Sequence, residues 1–385
     1  MSDAPRTIAV LTTGRQDWGI LHSTATAIRA RRDLRLRLLV GGMHLSARHG
    51  STVDAIRADG FAPDALLDWL GDGVTDPPAD VQAGAALTVV GAELRARPVD
   101  ALVLAGDRFE TAAAALAATV CGVPIVHLHG GEQTLGAFDD ALRHATTKLA
   151  HLHLVSHPEH AARVVAMGED PAMVHVVGAP GLDALARSDL PDRAALAADL
   201  GVDLVAPVVV VTVHPATLDA DPAAAAKAVV EAMDRVPATY IITQPNVDPG
   251  AADVVAALEA AAKPGRVSVA ALGERRYWGM LRIADAMLGN SSSGITEGPA
   301  IGLPVVNVGD RQAGRVRFGP VVDVAADGDQ VALALRRVLA PGFRETIPAP
   351  DPRLADGRAG ERVALIIAGW HPSRPPRKPP IPVAL

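Results

Sequence analysis

Short apolar runs alternate along this chain with longer stretches whose apolar residues recur at helical spacing, and a polar or glycine-rich turn follows nearly every run. Residues 7–13 form a β-rich run that ends at Gly14, and a helical pattern occupies about 20–32. A second run at 36–40 closes on Gly41 and Gly42. The same grammar returns with a run at 101–104 leading into Ala105, Gly106 and Asp107, an alanine-rich helix at 111–120, and a run at 124–128 leading into Gly130 and Gly131. A strand at 151–155, a helix at 161–167 and a strand at 174–177 complete the series. Continuous apolar strands between helices predict a parallel sheet covered on both faces. The first part of the chain therefore reads as a doubly wound α/β domain.

A turn-rich, acidic stretch at 181–205 reads as a linker, after which the pattern resumes. Strands are expected at 207–213, 240–242, 286–288 and 305–308, and helices at 223–233, 252–262 and 277–283. The expected organisation is thus α/β with two Rossmann-like domains, 1–180 and 206–358, facing across a cleft. A helix at 359–371 is expected to pack back on the first domain, and 372–385 to form an extended proline-rich tail. Ligands of such sheets bind in crevices at the carboxyl ends of the strands.

Composition narrows the classes of function. The 385 residues are 49% hydrophobic, enough apolar content to offset the ordering entropy that keeps a charged chain disordered. Cys121 is the only cysteine, which excludes a disulfide scaffold and points to a reducing, cytoplasmic compartment. No run approaches the length of a membrane span, and the first residues lack the basic start and apolar core of a signal peptide, so a soluble, unexported protein is expected. The net charge of −7 and the absence of a basic stripe argue against nucleic-acid binding, as do the 3% aromatics for base stacking.

Polar clusters fall just after the expected strands. Gly14-Arg15-Gln16-Asp17-Trp18-Gly19 would let backbone approach a ligand, with Arg15 reaching a phosphate, although Asp17 also suits a helix cap. Gly106-Asp107-Arg108-Phe109-Glu110 places an acid at the end of a central strand. His127-Leu128-His129-Gly130-Gly131-Glu132, then Asp139-Asp140 and Arg143-His144, gather imidazoles and carboxylates, yet no pair has the His-x-x-x-His spacing of a helical ligand set, so no metal is expected. Strand alternation sends His127 and His129 to the same side. In the second half, His214 closes one strand and Gln244-Pro245-Asn246 another. Asn290-Ser291-Ser292-Ser293-Gly294 forms a small-residue loop after a strand and before a helix, suited to holding an anion on backbone amides, and Glu297 follows where it can accept from the hydroxyls of a ribose.

Taken together, these motifs resemble those of the hydrolysing UDP-N-acetylglucosamine 2-epimerases. The resemblance runs from Gly14-Arg15 to Gly309-Asp310-Arg311 and is most specific from Gly106 to His144. It implies a glycosyltransferase-B-type fold, UDP held mainly by the second domain, and a sugar reacting between the domains. It further implies that Asn290, Ser291, Ser292 and Ser293 bind the diphosphate, Glu297 the ribose, and His214 and Arg311 the phosphates, with Asp107 and Asp139 catalytic. Expected substrate contacts also include Arg15, Arg108, Arg143, His144, Asn246 and Gly294. Two departures stand out: the glycine-arginine loop of the family usually continues Ala-Asp-Tyr, here Gln16-Asp17-Trp18, and some members carry a catalytic glutamate where this chain has His129. Either His129 or Glu132 takes over proton transfer there.

The chemistry fits. The sugar C2 proton has no adjacent carbonyl, so direct abstraction is too costly, whereas elimination of UDP across C1 and C2 gives a glycal that water can then hydrate. That sequence needs cations and amides on the leaving phosphate, a carboxylate near C1, and an acid or base of tuned pKa at C2. Asp107, Glu132, Asp139 and His129 would supply these groups with no metal or redox cofactor. A cytoplasmic homodimer acting on a UDP-sugar is the expectation, specifically UDP-N-acetylglucosamine hydrolysed to N-acetylmannosamine and UDP. A non-hydrolysing 2-epimerase, a hydrolysing enzyme for a UDP-diacetamido-trideoxy sugar, and a glycosyltransferase of the same fold are the alternatives.

Overall fold

Seven strands of the first part pair in parallel: β1 (Arg6–Thr12), β2 (Leu34–Gly41), β3 (Ala65–Leu67), β4 (Ala101–Ala105), β5 (Ile125–Leu128), β6 (Leu152–Val155) and β7 (Val174–Val176). Their order in the sheet is β3-β2-β1-β4-β5-β6-β7. The computed structural model describes residues 4–71, 75–135, 137–186, 189–217, 220–245, 248–270, 272–317, 319, 321–348, 356–373 and 375–378. The helices of this part are α1 (Arg15–Ala30), α2 (Val53–Ala58), α3 (Ala79–Ala96), α4 (Phe109–Val120), α5 (Asp139–Leu149) and α6 (Pro158–Ala166). Every residue of β4, β5 and β6 is buried, the signature of a parallel sheet with both faces covered.

A second parallel sheet follows, with order β10-β9-β8-β11-β12-β13. Its strands are β8 (Val208–Thr212), β9 (Thr239–Thr243), β10 (Arg266–Val269), β11 (Ala286–Gly289), β12 (Val305–Val308) and β13 (Val322–Val324). Its helices are α7 (Arg193–Leu200), α8 (Ala224–Arg235), α9 (Ala251–Glu259), α10 (Gly273–Ile283), α11 (Glu297–Ala300) and α12 (Gly328–Val338). Val209, Val211, Val229, Ile242, Leu288, Val306 and Leu335 are among the residues that form its core.

The chain divides into two compact units. One comprises Met1–Glu132, Asp139–Ala186 and Arg353–Leu385, and the other Gln133–Phe138 and Arg187–Pro352. The expected linker at 181–205 carries structure of its own: a 3-10 turn, Pro180–Ala186, lies in the first unit, and α7, whose Asp192 side chain accepts from the Ala195 amide, lies in the second. The short excursion 133–138 is tied into the second unit, where the Leu135 amide donates to the Ala313 carbonyl at 3.2 Å and the Phe138 amide to Thr217 Oγ1 at 3.3 Å.

The last helix, α13 (Ala359–Gly369), belongs to the first unit, where Val363, Ala364 and Ile367 join the core. Both of its ends are held by side chains distant in sequence. Asp183 accepts from the Ala359 and Gly360 amides at 3.0 and 2.7 Å, and Arg6 donates to the carbonyls of Ile367, Ala368 and Trp370 at 2.6 to 2.8 Å. A Cβ on Gly360 would lie 2.6 Å from the Ser23 carbonyl carbon, so glycine is what lets α13 approach α1 this closely.

Each sheet has one place where strand order reverses. In the first it lies between β1 and β4, and in the second between β8 and β11. The clusters around Gly14 and Asp107, and those around His214 and Asn290, stand at these points, where ligands of open α/β sheets bind. No helix among the described residues is long and apolar enough to cross a membrane.

Candidate functional site

The first half-site begins where β5 stops. Alternation predicted His127 and His129 on one side of the strand, but the strand ends at Leu128 and His129 adopts a left-handed φ of 62°. The turn into Gly130 and Gly131 therefore sends the two imidazoles to different places. His127 is fully buried, with Nε2 2.8 Å from the Gly106 carbonyl and Nδ1 3.2 Å from Thr147 Oγ1. Burial pushes its pKa down to about 4, so it is a neutral packing histidine that ties β5 to the end of β4.

His129 instead faces Glu132, with Nδ1 2.6 Å from Glu132 Oε1. Its other ring nitrogen, Nε2, is buried and has no hydrogen-bond partner among the described residues. Glu132 Oε1 also accepts from Ser156 Oγ at 3.2 Å, and Oε2 lies 3.6 Å from Arg143 Nη1. Arg143, only 1% exposed, forms a second ion pair with Asp107 at the end of β4. One guanidinium thus fixes two carboxylates that come from different strand ends, and a third group, the imidazole, is oriented by one of them.

Helix α5 makes this arrangement possible. Asp139 and Arg143 are four residues apart, which sets both on its buried face together with Thr146 and Thr147. Asp140 and His144 occupy the neighbouring stripe, 3.5 Å apart, and burial lowers the His144 pKa. Arg108 turns to its own neighbour: its guanidinium holds Glu110 through two hydrogen bonds of 2.8 and 3.1 Å, all buried. Asp17 reaches back from the first turn of α1 to the Thr13 amide at 3.0 Å and sits in the field of Arg108; burial raises the carboxyl pKa of both Asp17 and Glu110. Arg15 opens α1, half-buried. The structure brings Asp107, His129, Glu132 and Arg143 together, with Asp139 on the same face of α5 as Arg143. It leaves His144 with Asp140 and Arg108 with Glu110.

In the second unit, the ends of β8 and β11 are locked across the reversal point. The His214 amide donates to Asn290 Oδ1 at 2.7 Å, and Asn290 Nδ2 donates back to the His214 carbonyl at 2.8 Å. The Asn290 carbonyl accepts from Gln312 Nε2 at 2.8 Å and from Arg311 Nη1 at 3.3 Å. The loop that follows differs from its expected form. The serines themselves lie in a 3-10 turn, Ser292–Gly294, and the helix that follows is only the four residues of α11, opened by Glu297. The amides of Ser293, Gly294, Ile295 and Thr296 are engaged within this turn, the first by Ser291 Oγ and the others by the Ser291 and Ser292 carbonyls. Ser293 Oγ meets the Tyr277 hydroxyl at 2.5 Å. Asn246 lies outside the described residues. The sequence pattern does not single out Ser156, His160, Tyr277 or Gln312. Gln312 and Ser156 do carry a faint signal, a polar residue next to an expected contact or directly after a strand.

Two parallel α/β units, each with polar side chains at its reversal point, make a fold of the glycosyltransferase-B type. The crystal structure of UDP-N-acetylglucosamine 2-epimerase from Neisseria meningitidis bound to UDP-N-acetylglucosamine shares this fold, with a TM-score of 0.78 at 14% identity over 94% of this chain and all of that one. The chain belongs to the UDP-N-acetylglucosamine 2-epimerase family, whose sequence profile matches residues 26–368. It is 32% identical over 346 residues to UDP-N,N'-diacetylbacillosamine 2-epimerase (hydrolyzing) of Legionella pneumophila, covering 87% of this chain and 89% of that one. It is 30% identical over 325 residues to GDP/UDP-N,N'-diacetylbacillosamine 2-epimerase (hydrolyzing) of Campylobacter jejuni, covering 83% and 84%.

Proposed function

We propose that this UDP-sugar 2-epimerase is of the hydrolysing kind and converts UDP-N-acetylglucosamine and water to N-acetylmannosamine and UDP. The observation that carries the reading is the Asp107–Arg143–Glu132–His129 cluster, in which an imidazole held by a carboxylate presents a buried Nε2 that has no hydrogen-bond partner among the described residues. With Nδ1–H donated to Glu132, the neutral ring has its lone pair on Nε2, the form a general base requires. In the first step the C2 proton passes to a base, the C1–O bond breaks, and UDP departs with that electron pair, leaving 2-acetamidoglucal. In the second, water adds its oxygen to C1 and a proton returns to C2 from the opposite face. His129 with Glu132 serves one face, and Asp107 or Asp139 the other.

His214, Asn246, Asn290, Ser291, Ser292, Ser293, Gly294, Glu297 and Arg311 are assigned to UDP. Arg15, Arg108, Arg143 and His144 are assigned to the sugar or its phosphates, and a cytoplasmic homodimer is the working form. A second reading, UDP-N,N'-diacetylbacillosamine as substrate, is favoured by the names of the Legionella and Campylobacter relatives. Incubation with each UDP-sugar and product analysis by proton NMR tests these readings. Free N-acetylmannosamine and UDP in equal amounts are expected. A UDP-linked epimer would replace the hydrolysing assignment, and turnover of only the diacetamido sugar would replace the substrate.

A further inference from the structure

The proton-handling pair is supported from behind by two residues that no step of the reaction uses. Ser156 follows β6 and His160 lies in the first turn of α6; they are 1% and 2% exposed. Ser156 Oγ donates to Glu132 Oε1 at 3.2 Å and lies 3.0 Å from His160 Nδ1. The serine hydroxyl has one hydrogen. Given to the carboxylate, it leaves the oxygen only as an acceptor toward His160, so His160 must carry its hydrogen on Nδ1. The direction of the whole chain follows: His160 Nδ1–H to Ser156, Ser156 O–H to Glu132 Oε1, and His129 Nδ1–H to the same Oε1. Burial holds the His160 pKa at about 4, so the ring stays neutral across the physiological range and the direction does not reverse.

We infer that Ser156 and His160 are positioning residues that set the basicity and rotamer of Glu132, and through it the tautomer that leaves His129 Nε2 as the base. This rests on the roles of Glu132 and His129 proposed above. A hydrogen bond donated to a carboxylate lowers its pull on a neighbouring imidazolium, so losing that bond makes Glu132 a stronger partner and His129 harder to deprotonate. Other charged or titratable groups face the same network: Arg143 from α5, His127 from β5, His157 at the cap of α6 and Arg163 from α6.

The test is steady-state kinetics with UDP-N-acetylglucosamine as a function of pH for Ser156→Ala, Ser156→Thr, His160→Phe and His160→Gln, beside Glu132→Gln. For Ser156→Ala and His160→Phe we expect kcat to fall about tenfold with KM changed less than about twofold, and the acidic limb of the pH profile to move up by about half a unit. Ser156→Thr, which keeps the hydroxyl, and His160→Gln, which keeps a donor, should restore both. A structural role alone would lower the melting temperature while leaving kcat and the pH limb of the folded enzyme unchanged, and that result overturns the inference. If Ser156→Ala fails to fold, the His160 pair decides by the same two readouts. Glu132→Gln separates the two levels of argument: loss of turnover there with parental Ser156→Ala and His160→Phe sinks only the inference, whereas parental turnover in Glu132→Gln sinks the proposed roles themselves.

Discussion

Gly131→Ala puts the geometry of the His129–Glu132 turn under direct strain. Gly131 has φ of 76°, and a Cβ added there would lie 2.3 Å from the His160 carbonyl oxygen and 2.9 Å from Val164 Cγ2. The left-handed backbone costs an L residue about 1–2 kcal/mol, and forcing a methyl into a filled site adds about 1–3 kcal/mol. Reaching an ordinary C···O separation of about 3.3 Å requires the turn or α6 to yield by about 1 Å. The turn is the part that carries Glu132, and a misplacement of that size in a catalytic group costs about a hundredfold in rate. Gly122→Ala is the control: its φ of 68° is similar, but nothing lies within 4 Å of the added atom. Urea unfolding followed by circular dichroism, with kcat measured on the folded variants, reads both effects. Gly122→Ala should lose only the backbone contribution and keep its rate, while Gly131→Ala should be destabilised by about 2–5 kcal/mol and lose most turnover. If the two variants match in midpoint and rate, the close approach of the turn to α6 does not position Glu132.

Three further outcomes are expected. Arg143→Lys offers one point charge where the guanidinium holds Asp107 and Glu132, so kcat should fall by about a hundredfold, and parental kinetics would remove Arg143 as the bridge. Burial lowers the pKa of His44 to about 3 and those of His127, His151 and His160 to about 4, so below pH 6.5 the unfolded chain binds protons that the folded one refuses. The histidine contribution to stability should therefore be whole above pH 6.5 and decline as the pH falls toward 4, and His127→Gln should flatten part of that decline in urea midpoints taken at half-unit steps. Arg6→Ala removes the donor to three carbonyls at the end of α13 and should cost about 1–3 kcal/mol, seen as early exchange of the α13 amides; unchanged protection would show that apolar packing alone holds the helix.

The sequence made the central strands legible for a physical reason. The Ala101–Ala105 and Val208–Thr212 segments are buried on both faces and so read as unbroken apolar runs. β3, β10 and β13, three or four residues long and partly exposed, leave no such run. Helix α5 is not legible in the sequence because its buried face is polar, with Asp139, Arg143, Thr146 and Thr147 in place of the apolar stripe that periodicity detects. The residue types of the candidate site were visible just after their strands, but their partners were not. Alternation failed at His129 because the strand had already ended, and the pairing of Glu132 with Ser156 joins two strand ends 24 residues apart. The burial of Glu110 against Arg108, and the capture of 133–138 by the second unit, likewise depend on tertiary contacts that local pattern does not encode.

The central claim is that epimerisation proceeds by loss and return of the C2 proton, managed by His129 and Glu132. The most direct measurement is turnover of UDP-N-acetylglucosamine in deuterium oxide, with the product's C2 position read by proton NMR for the parent, Glu132→Gln and His129→Ala. The parent should release N-acetylmannosamine carrying one deuterium at C2. The two variants should lose product and deuterium together, with any residual UDP release accompanied by 2-acetamidoglucal. Product that retains its C2 hydrogen, or parental deuterium incorporation in both variants, would contradict the account.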